Sequence, residues 1–264
     1  MERYYVIEKE VGETPLQALS RLRRERGIAN DVPLSYAGRL DPMASGKLLI
    51  LVGDECKRQT SYHGLDKEYE VDVLLGVRSD SGDVLGIVES CAPAAVAAGD
   101  VEAALSALRG EIELPYPHFS SKTVYGKPLH TWTLEGRLGE IEVPVKRSTV
   151  YRLDLHGLRT AKTEEVVRTA LSKIDALPAV TEPSKALGRD FRRDDVRASW
   201  ARLPDAVWPL VSFTATASSG TYMRSLAERL AASLGTCGLA LRIHRTKIGR
   251  FRRFGPWGIW TKTY

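Results

Sequence analysis

The run Leu48 to Val52, LLILV, lies between Gly46 and Gly53. Consecutive apolar residues closed off by glycines read as a buried strand, and whatever leads into that strand is held against the core. What leads into it is YAGRLDPMASGK, Tyr36 to Lys47. Asp41 is flanked by Leu40 and Pro42. Pro42 fixes the next φ, and Gly38 and Gly46 mark a tight path on both sides. The result is one carboxylate on a short, constrained loop. Taken alone, an Asp-Pro pair also opens many ordinary turns through side chain to backbone hydrogen bonds, so the wider pattern has to decide.

Along the rest of the chain, strand and helix signals come in mixed order, as in an α+β fold. Arg3 to Lys9 reads as an opening strand, and Thr14-Pro15 as an N-cap with proline at the first position of a helix reaching about Gly27. Lys67 to Gly76 alternates Tyr69, Val71, Val73 and Leu75 on one face, and Arg78 to Gly86 is a turn-rich loop. Ala92 to Gly99 reads as a flexible connection, with Asp100 capping a helix that Gly110 ends. Val143 to Leu158 is another alternating strand. Thr163 caps a helix to about Ala176, and 182–203 is a charged, mixed stretch, favoured as a solvated loop with a helix over an RNA-contacting insertion. Trp208 to Gly235 is a strand turned by Ser219-Gly220-Thr221 into a helix with Leu226, Leu230 and Leu234 on one face.

With 264 residues, 43% hydrophobic and 27% charged, the chain is an ordinary globular protein. Its 38 Lys and Arg against 33 Asp and Glu give +5, which weakly favours a polyanionic partner. Two clusters are candidate phosphate contacts: Arg21 to Arg26, and Arg242, Arg245, Lys247, Arg250, Arg252 and Arg253, among which no acid occurs. Cys56, Cys91 and Cys237 are too few and scattered for a disulfide framework, and no Cys/His group has metal-ligand spacing. The chain shows no leader-like start, no apolar run approaching a membrane span and no G-x-x-x-x-G-K-S/T loop. Those features point to a cytoplasmic protein.

LDPMASG, the apolar strand and GDECK together resemble the catalytic segment of the TruB-type pseudouridine synthases, G-x-L-D-P-hydrophobic-A-S/T-G, a strand, then G-E/D-x-T/C-K. KEYEV and RSDSGDVLG resemble the family's K-x-Y-x-V strand and T-D-S/T-x-D-x-x-G loop. SSGTYMRSL resembles C-S-x-G-T-Y-I/V-R-S/T-L, and LALRIHRTKIGRF resembles L-R-R-T-x-I/V-G-x-F. EKEVGETPLQAL is a divergent form of D-K-P-x-G-x-S/T-S, with Glu10 in place of the proline. In HFSSKTVYGKPLHTWTLEGR, Lys122 sits one place early and His130 replaces a tyrosine. Residues 159–206 read as an insertion atypical of the family, and the C-terminal PUA-type RNA-binding domain common in bacterial members is expected to be missing.

The resemblance implies a single pseudouridine synthase catalytic domain over 1–264, α+β with a mostly antiparallel central sheet flanked by helices. It implies an isomerase that converts uridine to pseudouridine, at position 55 in the T-loop of tRNA. Asp41 would be catalytic, with Arg224 holding it anionic and Tyr69 stacked on the base. Tyr222 and Ile243 would wall the pocket, and Tyr36 stands where the family has a histidine that fills the place of the extruded base. Arg39, Lys67, Arg242, Arg245 and Lys247 are the expected RNA contacts. The partner would be the tRNA T-arm and the enzyme a monomer, with no cofactor or metal. Another tRNA or ribosomal site, or a noncatalytic RNA-binding or tRNA-folding role, are the alternatives.

Overall fold

The computed structural model describes residues 2–91, 95–178, 192–254 and 257–264. In chain order the first half forms β1 (Tyr4–Lys9), α1 (Pro15–Glu25), β2 (Leu34–Ala37), β3 (Ser45–Val52), α2 (Gln59–His63), β4 (Asp66–Leu75), β5 (Val77–Ser79), β6 (Val88–Ser90), α3 (Ala98–Ala107) and β7 (Gly110–Pro115). The second half forms β8 (Thr123–Val124), β9 (Lys127–Pro128), α4 (Leu129–Leu134), β10 (Val145–Lys162), α5 (Thr163–Asp175), α6 (Arg193–Ala201), β11 (Val207–Ala217), α7 (Met223–Ser233), β12 (Gly238–Phe254) and β13 (Trp257–Thr263). No helix among the described residues is long and apolar enough to cross a membrane.

Nine strands make one sheet in the order β1-β3-β12-β4-β11-β10-β7, with β2 added on β3 and β13 on β12. Every pairing in it is antiparallel except β3 with β12, which run parallel through Ser45 and Gly46 against His244 and Arg245. The fold is therefore α+β around a mostly antiparallel sheet, as expected. β3 is buried on both faces. Leu48 and Ile50 pack with Ala18, Leu19 and Leu22 of α1, and Leu49 and Leu51 pack with Ala37, Leu65 and Ile248. A larger core joins β4, β10 and β11 to α3, α5, α6 and α7.

The parallel contact depends on Gly46. Its φ is +111°, and a Cβ there would stand 2.4 Å from the Arg245 carbonyl oxygen. Gly46→Ala is expected to destabilise the fold by about 3 kcal/mol through strain and clash. A urea midpoint equal to wild type would overturn that expectation.

Several local readings change once tertiary partners are seen. α3 begins at Ala98, so Asp100 lies inside its first turn and accepts from the Ala97 N–H at 3.2 Å. Thr163 is the first residue of α5 rather than its cap. Its hydroxyl donates to the Pro204 carbonyl at 2.8 Å and accepts from the Trp208 indole at 2.9 Å. The described part of 159–206 is no solvated appendage, because α6 buries Trp200, whose indole donates to the Val84 carbonyl at 3.0 Å. Residues 179–191 and 92–94 lie outside the described residues. β13 pairs antiparallel along the outer part of β12. Cys91 and Cys237 are disulfide-bonded, their Cα atoms 6.2 Å apart across 146 residues of sequence. One cross-link is not a framework, yet it removes cysteine usage as an argument for a reducing compartment.

Candidate active site

Asp41 lies on the loop between β2 and β3, and backbone bonds fix that loop on several sides. Its carbonyl accepts from Ala44 N–H at 3.0 Å, closing a turn, and Pro42 O accepts from Gly12 N–H at 2.8 Å. Gly38, with φ +86°, lets the chain pass close to the side chains of Lys67 and Arg245. Arg245 is fully buried and aims its guanidinium at carbonyls of this loop and of β3, donating to Arg39 O at 3.0 Å and Lys47 O at 2.7 Å. Lys67 is buried too, donating to Leu65 O and the Ser219 hydroxyl. Two residues expected at an RNA surface thus sit beneath the loop that carries Asp41. Their charge does not reach solvent because the Asp41 loop covers the face of β12 and β4 that carries them.

Arg224 comes from the first turn of α7. Its side chain is 4% exposed against 37% for Asp41, so a buried cation backs a reachable carboxylate. Nε stands 2.9 Å from Asp41 Oδ2 and 3.5 Å from Asp83 Oδ2. That Nε–H has no aligned acceptor, so these contacts are ionic rather than directed hydrogen bonds. The remaining nitrogens donate to Ser81 O at 2.9 Å and Phe119 O at 3.3 Å. Burial opposes the Arg224 charge, but Asp41 and Asp83 outweigh it and hold its pKa above the ordinary value. Asp83 is raised, chiefly by burial, with Arg224 opposing and the like charge of Asp41 adding. Its carboxylate is held by Ser81 Oγ at 2.8 Å and Leu85 N–H at 2.9 Å.

Asp83 was not singled out from sequence, although it is the second aspartate of the turn-rich loop matched above. Lys9 was also missed. It is fully buried at the end of β1, donates to the carbonyls of Glu10 and Glu13 at 2.8 and 2.7 Å, and is lowered to about 8 by burial against the pull of Glu13 and Asp41. Burial, followed by Arg245, lowers Lys67 to about 8 as well.

Around this centre, Tyr69 on β4 is the direct cross-strand partner of Arg245 and is half-buried against the main core. Tyr222 precedes α7, packs edge-on to Tyr116 at 5.3 Å, and has its hydroxyl raised by burial and by Asp41. Ile243 is buried opposite Val71. Tyr36 packs instead with the small core under α1. Arg39 is exposed and donates to the Ser121 hydroxyl. Arg242 and Lys247 are half-exposed, each paired with a carboxylate of β4, Glu70 at 2.9 Å and Glu68 at 2.8 Å.

Residues 26–173 match the model of the TruB family pseudouridylate synthase N-terminal domain. The chain belongs to that family. Among its relatives, a protein of an Azoarcus species named tRNA pseudouridine synthase B is 32% identical over 75% of this chain and 76% of its own length. Proteins of the same name from Caldicellulosiruptor saccharolyticus and Aromatoleum aromaticum are 25% and 29% identical over 95% and 93% of this chain. The chain spans 69% and 63% of those two, about two thirds of their length. Its fold resembles that of a chain in a Cbf5-Nop10-Gar1 complex, with a TM-score of 0.54 at 15% identity over 92% of this chain and 48% of that one.

Proposed function

We propose that this chain isomerises uridine to pseudouridine in RNA, at position 55 in the T-loop of tRNA, with Asp41 as the reacting carboxylate. The observation that carries the reading is a single reachable carboxylate held by a buried arginine. A hydrolytic glycosidase needs two carboxyl groups facing the scissile bond, one to protonate the leaving group and one to act as base or nucleophile. The other carboxylate in ion-pair range of Arg224 among the described residues, Asp83, is buried and occupied by Ser81, Leu85 and Arg224. One carboxylate is enough when the base is detached from C1′, turned, and rejoined through C5 without leaving the pocket.

In this reading Arg224 is the counter-charge that stays with Asp41 as substrate closes over it, because a buried charge left without a partner is costly. Tyr69 stacks on the target base, and Tyr222 and Ile243 wall the pocket. The uridine has to leave its stack first, at a cost of a few kcal/mol. Arg39, with its exposed guanidinium, and the half-exposed Arg242 and Lys247 are the phosphate contacts, while Lys67 and Arg245 position the loop. Tyr36 would support β2 rather than enter the vacated base position. The relatives named above carry tRNA in their names, and with tRNA as substrate the place of work is the cytoplasm and the working unit a monomer.

The test is release of tritium from C5-labelled uridine, with unmodified whole tRNA, a T-arm hairpin and ribosomal RNA as substrates. Release from tRNA and hairpin is the expected result. Release from ribosomal RNA alone would move the target, and no release from any RNA that the protein binds would leave a noncatalytic RNA-binding role.

A further inference from the structure

Between the start of β1, α2 and the outer half of β12 and β13 lies an open cleft of about 350 Å³. Arg3, Arg58, Arg250 and Lys262 line it together with the rings of Tyr62 and Tyr264. It lies at the far end of β3 from Asp41, since its neighbour Tyr4 pairs with Leu51. At about 3.3 Å per residue along β3, the two places are separated by roughly 20 Å.

The charge of this cleft is largely unmatched. Arg3 and Arg58 share one carboxylate, Glu55, at 2.7 and 3.3 Å. Arg250 and Lys262 pair with no carboxylate among the described residues, and residues 248–264 contain no Asp or Glu. Tyr264 stands edge-on to Tyr4 and Tyr62 at 5.2 and 5.8 Å, with Lys262 over its ring at 4.7 Å. The face continues along the ribbon. Arg250 pairs across it with Lys262, Arg252 with Ile259 and Phe254 with Trp257, and these six alternate onto one side. Trp257 is 78% exposed and Phe254 56%. Open aromatic rings among cations that outnumber the one acid beside them, Glu55, match a chain that offers both phosphates and flat bases.

We infer that this cleft and ribbon face form a second RNA site, which takes backbone phosphates and an unstacked base of the substrate well away from the target uridine. The inference rests on the function proposed above for its substrate, but it has its own readout. The six side chains are exposed, so changing them leaves the core intact.

The experiment measures binding of the full chain to fluorescently labelled tRNA across a sodium chloride series, comparing wild type, Arg250→Glu/Lys262→Glu and Trp257→Ala. Two lost phosphate contacts should weaken binding at least tenfold at moderate salt and lower the slope of log affinity against log salt by about 1.5. Trp257→Ala should weaken binding severalfold with the slope unchanged. Turnover at saturating RNA should stay within about twofold while KM rises. Wild-type affinity and slope in both variants would overturn the inference. Failure of the function itself shows separately, as tRNA binding that depends on this face without any tritium release.

Discussion

Asp41→Asn converts uridine at least about 10⁴-fold more slowly than wild type and binds RNA as tightly: that is the expected result for the residue at the centre of the site. The substitution keeps the size and planarity of the side chain and removes the ability to attack or to take a proton, losses of this order when a reacting group is deleted. It should also fold. Asp41 is partly exposed, and Arg224 retains Asp83 as a second counter-charge 3.5 Å away, so no buried ion is left alone. Single-turnover tritium release with saturating enzyme gives the rate, and fluorescence anisotropy gives the affinity. A rate within tenfold of wild type would remove Asp41 from the chemistry. A variant that lost RNA affinity in step with its rate would show that the carboxylate serves binding instead.

What could be read in the sequence was whatever depends on near neighbours. The burial of β3 followed from five adjacent apolar residues, and the start of α1 from Thr14, whose capping bond to Gln17 N–H at 3.2 Å spans one turn. The Asp41 loop was legible because glycine and proline restrict the backbone locally. What could not be read depends on register between distant strands. Arg245 and Arg250 belong to one basic run, yet the first is sealed under the Asp41 loop by the β3–β12 contact while the second lies on an open ribbon. Residue type alone gave both to the surface. Asp83 looked like a turn residue until α7 brought Arg224 over it, and the charged stretch that ends in α6 hid Trp200, whose partner Val84 is 116 residues away. Cys91 and Cys237 meet for the same reason: Gly76 bonds to the backbone of both, joining the end of β4 to the chain before β12.

Arg224→Met should cost both stability and activity, and the two losses can be pulled apart. Removing the guanidinium leaves Asp83 buried without a counter-charge, and breaking a buried pair from one side typically costs about 3–5 kcal/mol. It also strips Asp41 of its paired cation 2.9 Å away, with an expected loss of at least about 100-fold in turnover. The pH dependence has a definite sign. Burial already raises Asp83, and without Arg224 its folded pKa rises further above the unfolded value. Between those two pKa values the folded variant binds more protons than the unfolded chain, so its stability falls as pH rises through that window and is greatest below the unfolded pKa. Lowering the pH from 7 to 5 should therefore narrow the gap between variant and wild type in a urea melt. Arg224→Met/Asp83→Asn, which removes the unpaired charge and can still accept from Leu85 N–H, should recover most of the stability and none of the activity. Recovery of both would make Arg224 a purely structural residue, and recovery of neither would show that the cost lies in the bonds to Ser81 and Phe119 rather than in the charge.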